Sequence, residues 1–291
     1  MDFGRLITAM VTPFNEQLQI DWEATGRLID ELIEVQKSDS LVVSGTTGES
    51  PTLTEEEKLE LFRFSVRRAA GRAKIIAGTG SNDTAHSIHL SKLAAEAGVD
   101  ALLLVAPYYN KPNQEGLYLH FKAIAESTKL PVILYNVPGR TVVSLSTATT
   151  LRLAQLPNVV ATKECASVEQ ITELVAGAPE GFIVYSGDDG ITLPTLAVGG
   201  YGIISVASHV VGAEMKQLID TFLEGRIAEA AQLNAKLFPV FKGLFQCPHP
   251  VPNPVAVKHA LTAKGLDVGG VRLPLAPATE DERAFIEALF N

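Results

Sequence analysis

Short runs of apolar, largely β-branched residues alternate along this chain with longer amphipathic runs. The short runs lack the polar alternation of a sheet with one face in water, so both faces of each strand should be buried, as in parallel sheets. Strands are predicted in eight places, at residues 6–11, 41–44, 74–77, 101–106, 132–137, 159–163, 182–186 and 202–206.

The amphipathic runs carry the signals of helix ends. Thr54 and Glu57 have the spacing of a capping box, and Asp83 and Ser146 are suitable N-caps. Glycines, which tolerate the left-handed conformation, follow three predicted helices at Gly71, Gly98 and Gly199. The chain is therefore expected to alternate strands and helices.

Strand–helix alternation predicts right-handed βαβ units, and eight of them favour a closed (β/α)8 TIM barrel. An open doubly wound sheet is the alternative that strand counting leaves in place. We expect the catalytic barrel to occupy 1–224 and a C-terminal helical extension to occupy 225–291. The extension should hold about three helices, with the proline-rich stretch 247–254 as a loop.

Composition excludes several classes of protein. Hydrophobic residues make up 46% of the 291 residues and the net charge is −9, which argues against disorder and against general binding of nucleic acid or anionic membranes. The two cysteines, Cys165 and Cys247, are far apart, so neither a disulfide framework nor a zinc site is expected. With no signal peptide or membrane span in the sequence, we expect a cytoplasmic location.

In a barrel the reactive groups lie at the C-terminal ends of the strands. Lys163 is the one lysine that ends a predicted strand, after 159–162. Burial there would lower the pKa of its amine and free it to attack a carbonyl as a Schiff-base lysine. The alternative is a structural ion pair with a carboxylate such as Glu164, although alternation along the strand places Glu164 on the opposite side.

Hydroxyl groups and an arginine converge on the same end of the barrel. Tyr135, Tyr109 and the Thr46–Thr47 pair follow predicted strands and can relay protons, although a core role is the alternative for each tyrosine. Arg140 follows in the loop after Tyr135, where a guanidinium can hold a carboxylate, and a surface arginine without a ligand is the alternative.

Cofactor and metal sites are not indicated. The glycines after the third predicted strand lack the third glycine of a dinucleotide fingerprint, since Asp83 stands there. His86 and His89 share a helix face without an evident third ligand. We expect neither a metal nor an organic cofactor.

Several motifs follow one another along the chain. They are GTTGES (45–50), PYYNKP (107–112), YNVPGRT (135–141), KE (163–164), SGDD (186–189), GIISV (202–206) and PNPVAVK (252–258). In their sequence and in their order these motifs closely resemble the dihydrodipicolinate synthases of the pyruvate-dependent class I aldolase superfamily. The resemblance implies a (β/α)8 barrel with a helical extension and a condensation of pyruvate with aspartate semialdehyde in lysine and diaminopimelate biosynthesis.

The resemblance also assigns catalytic roles. Lys163 would form an imine with pyruvate, and Tyr135 would carry protons to and from it. Thr46 and Tyr109 would complete the proton relay, with Tyr109 reaching in from a neighbouring subunit. The family is commonly a homotetramer built from two tight dimers, so a homotetramer is expected.

Substrate-binding roles follow from the same resemblance. Thr47 would hold the pyruvate carboxylate, Ile204 would line the pyruvate pocket, and Arg140 would bind the carboxylate of the semialdehyde. Gly187 and Asn253 match less central site positions. N-acetylneuraminate lyases and 2-keto-3-deoxy sugar-acid aldolases typically lack this arginine, and they remain the alternative enzymes; a catalytically silent keto-acid sensor is the alternative outside enzymes.

The sequence departs from the family in two places. Cys165, Ala166 and Ser167 follow the lysine where the family often has Ala-Ser/Thr-Gly, and 246–250 looks like a short insertion.

Feedback by lysine is expected to be weak or absent. Regulated bacterial relatives often carry histidines in the turn matching Glu55 and Lys58 and a glutamate at the position of His86, whereas Lys58 would repel the ammonium of an effector. An initial-rate titration with lysine checks this. Strong inhibition at sub-millimolar lysine would contradict it.

Overall fold

A computed structural model describes residues 2–290 of the chain. Within that range eight strands pair in parallel, each with its neighbours in sequence, and β1 closes the barrel against β8. The strands β1–β8 are Leu6–Ala9, Ser40–Val43, Lys74–Gly78, Ala101–Val105, Val132–Asn136, Val159–Glu164, Ile183–Ser186 and Gly202–Ser205. The closed order confirms the expected (β/α)8 barrel, and the doubly wound alternative is wrong.

Helices connect the strands and continue after the barrel. In the described residues the α-helices α1–α12 are Trp22–Asp30, Glu55–Ala69, Thr84–Glu96, Gln114–Glu126, Pro138–Thr141, Thr147–Leu153, Val168–Gly177, Thr192–Ala197, Ser208–Leu223, Ile227–Gly243, Val255–Ala263 and Glu280–Ala288. A π-helical turn, Glu31–Val35, continues α1. No helix between residues 2 and 290 is long and apolar enough to cross a membrane.

The helix-end signals in the sequence work as expected. Thr54 and Glu57 form a complete capping box at α2, and the Asp83 and Ser146 side chains accept hydrogen bonds from the first turns of α3 and α6. The glycines predicted to be left-handed have positive φ angles, and they are Gly71, Gly98 and Gly199.

After the barrel, α10, α11 and α12 match the expected three helices, and 247–254 is free of helix. α10 packs along α9, and α11 packs against α9 and α12. The helical extension is thus in contact with the barrel. The domain boundary at residue 224 stays a prediction.

Strand alternation sorts the core into two layers. One group of buried side chains fills the barrel interior and includes Ile7, Val42, Tyr135 and Ile204. A larger group, including Leu41 and Leu102, lies between the strands and the surrounding helices. Each strand is buried on both faces, which is the reason for its continuous apolar sequence.

His209 is a structural residue of the barrel end. It is 1% exposed; its Nδ1 lies 2.8 Å from the Val206 carbonyl oxygen and its Nε2 accepts from the Val11 N–H at 3.1 Å. Both ring nitrogens are therefore used by the neutral tautomer that carries its proton on Nδ1. Burial lowers the pKa of His209 to about 4.

This pKa predicts an acid-dependent loss of stability. Because the folded state disfavours the proton, the unfolded chain binds more protons below its ordinary pKa of 6.5, and the free energy of unfolding falls as the pH drops from 6.5 towards 4. His209 should contribute a loss of about 3 kcal/mol over that window. Denaturant unfolding of the protein and of His209→Gln at pH 7 and pH 4 measures it.

Buried His120, whose pKa burial also lowers to about 4, should leave a part of the acid effect in the variant. His89→Gln changes a histidine whose side chain is 57% exposed and is the matched control. An equal pH dependence in the protein and in His209→Gln would contradict the prediction.

Candidate active site

Two adjoining cavities open at the C-terminal ends of the strands. The larger, of about 690 Å³, contains Lys163 and reaches to α10. The smaller, of about 550 Å³, extends instead towards Lys58 and His86. The residues that line both are Thr46, Tyr135, Val137 and Arg140. The structure thus brings most of the predicted site residues to one end of the barrel.

Lys163 is the last residue but one of β6, lies inside the barrel and is 5% exposed. Its register partners on the adjacent strands are Tyr135 and Tyr185, and its Nζ lies 4.5 Å from the centre of the Tyr135 ring. Burial lowers the pKa of Lys163, while the charge of Asp189 acts in the opposite direction. Burial therefore increases the share of neutral, nucleophilic amine.

Glu164 points to the other side of the same strand. Its carboxylate accepts hydrogen bonds from Asn136 Nδ2 at 3.0 Å, from the Ala166 N–H at 2.7 Å and from Gln170 Nε2 at 3.2 Å. Burial raises its pKa to about 7. The alternative in which Glu164 pairs with Lys163 is wrong, because alternation along β6 separates the two groups.

Tyr135 is the last residue but one of β5, lies beside the lysine and is 6% exposed. Burial raises the pKa of its phenol, whereas the Arg140 charge and the Thr46 side chain act to lower it. The phenol is consequently protonated at neutral pH. The phenol can therefore donate a proton to an intermediate bound to the Lys163 nitrogen, and the resulting phenolate can accept a proton again.

The loop after β2 carries Thr46 and Thr47 in a tight turn. Ser44 and Glu49, at its two ends, have φ angles of 57° and 56°. Thr47 is 3% exposed, and its Oγ1 accepts a hydrogen bond from Asn253 Nδ2 at 2.9 Å. Asn253 thus lines the larger cavity and also holds Thr47 in position.

Gly187 leaves the space that the lysine occupies. A Cβ at this position would lie 2.3 Å from Cys165 Sγ and 2.6 Å from Lys163 Cε. Burial raises the pKa of the Cys165 thiol to about 12, so this cysteine packs as a neutral thiol. The glycine is required for close packing around the lysine.

Arg140 lies in the last turn of α5 and lines both cavities. Every ion pair found among residues 2–290 is made by other side chains, so the Arg140 guanidinium is available to an anionic ligand. Short α5 is a local difference from the sequence-based expectation, which treated this segment as a loop.

Two predicted residues lie outside the cavities of this single chain. Tyr109 has a φ angle of 71° and is 89% exposed, so its ring is largely in solvent and lines neither cavity. Ile204 is fully buried in the barrel interior, in the same apolar group as Tyr135. Their assigned roles in proton relay and in pyruvate binding stay predictions.

Sequence reasoning missed the contribution of α10 and of a buried acid. Phe238, Phe241 and Lys242 of α10 line the larger cavity, although α10 belongs to the predicted extension and not to the predicted barrel. Asp189 is 2% exposed, and its Oδ2 accepts from the Ala207 N–H at 2.9 Å. The SGDD motif pointed to this position, but no sequence signal distinguished a buried from a solvated carboxylate.

Together these features define a (β/α)8-barrel protein with a buried amine, a protonated phenol and a guanidinium that has no ion pair within the described part of the chain, all at the C-terminal end of the strands. The sequence profile of the dihydrodipicolinate synthetase family matches residues 2–291. This chain belongs to that family, and the resemblance drawn from the motifs is confirmed.

Named relatives support the assignment over the full length. The chain is 56% identical to a 4-hydroxy-tetrahydrodipicolinate synthase of Bacillus velezensis, over 100% of this chain and 99% of the relative. A crystal structure of dihydrodipicolinate synthase from Bacillus anthracis is 52% identical, with a TM-score of 0.96 over 99% of this chain and 98% of the other.

A third relative carries a ligand. The chloride-inhibited dihydrodipicolinate synthase from Acinetobacter baumannii, complexed with pyruvate, is 41% identical and has a TM-score of 0.95. The alignment covers 99% of this chain and 98% of that structure.

The close packing of Lys163 against Gly187 predicts that a side chain at position 187 would disturb the reaction of the lysine. Gly187→Ala should displace the Lys163 arm and slow trapping of pyruvate by borohydride about 100-fold, since errors of about 1 Å in a reacting group have effects of that size. Trapped adduct is followed by mass spectrometry. Gly139→Ala is the matched control, because its added Cβ meets no atom within 4 Å in the same region. Equal trapping rates in the two variants would contradict the prediction.

Proposed function

We propose that this chain condenses pyruvate with L-aspartate semialdehyde through a Schiff base on Lys163, giving 4-hydroxy-tetrahydrodipicolinate for lysine and diaminopimelate biosynthesis. This is the lyase activity named for its relatives. The observation that carries the proposal is the Lys163 amine, 5% exposed at the floor of a cavity and 4.5 Å from the Tyr135 ring.

The first half of the reaction belongs to Lys163. Its neutral amine adds to the ketone carbon of pyruvate, and the resulting alcohol leaves as water once it is protonated by Tyr135. The imine that remains draws electrons from the neighbouring methyl group, so loss of a methyl proton gives an enamine. Thr46, beside Tyr135, passes these protons on, and Thr47 holds the pyruvate carboxylate.

The second half joins the two substrates. The enamine carbon adds to the aldehyde carbon of the semialdehyde, whose carboxylate is bound by Arg140. The amine of the semialdehyde then attacks the imine carbon, releases Lys163 and closes the ring. One water leaves in the overall reaction, and no step uses a metal or an organic cofactor.

Tyr109 supports an assembly of several subunits. The Tyr109 ring is 89% exposed, and its backbone is in the unfavourable left-handed conformation. In an isolated chain neither feature is compensated by packing of the ring. Placed in the site of a neighbouring subunit, it would complete the relay of Tyr135 and Thr46. We propose a homotetramer of two tight dimers that acts in the cytoplasm on small-molecule substrates.

Arg140 provides the test of the acceptor. Arg140→Ala should lower kcat/KM for aspartate semialdehyde by about 10- to 100-fold, the usual cost of a lost charged hydrogen bond, and should leave pyruvate trapping on Lys163 nearly unchanged. Steady-state rates and borohydride trapping are measured on the same preparations.

Two controls separate the outcomes. Lys163→Ala should abolish both turnover and trapping, because the imine nitrogen is lost. Arg140→Lys keeps the charge but loses the two-pronged geometry and should fall between the protein and Arg140→Ala. Equal losses of trapping and of turnover in Arg140→Ala would indicate a structural arginine. No pyruvate consumption by the folded protein in the presence of the semialdehyde would reject this acceptor, and cleavage of N-acetylneuraminate or 2-keto-3-deoxygluconate would then indicate a sugar-acid aldolase.

A further inference from the structure

A buried ion pair connects the catalytic loop to the C-terminal extension. Glu49, in the loop that carries Thr46 and Thr47, has its Oε1 2.8 Å from Lys258 Nζ of α11. The two side chains are 1% and 3% exposed. A pair so deeply buried is held only where its remaining polar atoms are also satisfied.

The remaining contacts of both side chains are present. Glu49 Oε2 accepts a hydrogen bond from the Arg272 N–H at 2.9 Å. Lys258 Nζ donates to the Gly270 carbonyl oxygen at 2.6 Å and lies 4.2 Å from the centre of the Phe14 ring. Burial lowers the pKa of Lys258 to about 8, with Glu49 acting to raise it, so the ammonium is largely charged at neutral pH.

The pair acts on a backbone that needs support. Glu49 holds the left-handed conformation, φ 56° and ψ 35°, which is unfavourable for a residue with a Cβ. Its N–H donates to the Thr46 carbonyl oxygen at 3.1 Å. A shift of the Glu49 backbone would therefore also move the Thr46 backbone, because this hydrogen bond joins them.

The same C-terminal segment holds the loop at a second point. Asn253 precedes α11 and donates to Thr47 Oγ1 at 2.9 Å, five positions before Lys258. From the barrel side Thr12 Oγ1 donates to the Gly48 carbonyl oxygen at 2.7 Å. The loop that carries Thr46 and Thr47 is therefore held by residues of two other segments, one after β1 and one in the C-terminal extension.

We infer that Glu49 and Lys258 are positioning residues for the reaction: their ion pair fixes the loop so that Thr46 faces Tyr135 and Thr47 faces the pyruvate carboxylate. The inference rests on the proposed function and makes the extension a working part of the active site. Neither residue touches the reacting atoms.

The test separates positioning from stability. Glu49→Gln should lower kcat per folded molecule and the rate of borohydride trapping about 10- to 100-fold, as expected for a displaced relay. The KM for aspartate semialdehyde should stay within about twofold, because Arg140 lies in α5, on a different segment of the chain. Folded fraction and melting temperature are measured for each preparation.

A charge-balanced variant makes the distinction sharper. Glu49→Gln combined with Lys258→Met removes both charges, and such neutral replacements of buried pairs often restore stability. The double variant should recover most of the melting temperature lost in Glu49→Gln while its trapping stays slow. Should it not fold, Glu49→Gln alone, measured below its melting temperature, decides the matter with the same readouts.

The matched control is Glu57→Gln. Glu57 pairs with Arg272 at 2.6 Å and joins the same C-terminal segment to α2, with side chains 26% and 17% exposed. It should lower the melting temperature and leave kcat unchanged. Wild-type kcat per folded molecule in Glu49→Gln, or in the double variant, would overturn the inference, whereas failure of the wild-type protein to trap pyruvate would instead reject the proposed function.

Discussion

Closing eight parallel strands into a barrel forces alternate side chains of each strand into an interior from which water is largely excluded. In this chain most of those side chains are apolar, and one is a lysine at the end of β6. The chemistry we propose depends on that burial, because burial lowers the pKa of Lys163 and raises that of Tyr135.

The two faces of β6 carry side chains of opposite charge type, a lysine on one and a glutamate on the other. Lys163 faces the cavity, while Glu164 faces the surrounding helices and is held by Asn136 and Gln170. If the carboxylate shared the lysine's face, their ion pair would keep the amine protonated and unreactive. Alternation along a strand therefore separates a nucleophile from its nearest acid in sequence, without additional structure.

The C-terminal extension changes how the site is understood. Its helix α10 forms one wall of the larger cavity, and Asn253 and Lys258 contact the loop that carries Thr46 and Thr47. Residues that follow the last barrel strand by some 50 positions thus act on residues that follow the second strand. Residues of both the barrel and the extension form the site. Substitutions in the extension should therefore alter the position of the loop that carries Thr46 and Thr47.

The sequence alone determined the strands and the helix caps, because these depend on local periodicity and on which residue types can end a helix or a strand. It favoured the eight-unit barrel, whose closure the tertiary structure decided, and it predicted the nucleophile that we propose near the end of β6. Motif order was enough to indicate the family. Tertiary structure decided what depends on contacts between distant segments: that Gly187 makes room for Lys163, that Arg140 has no ion pair with the residues from 2 to 290, that His209 is structural, and that Glu49 contacts Lys258. Spacing along the chain carries no information about such contacts, since they form only when the barrel closes and the extension packs against it.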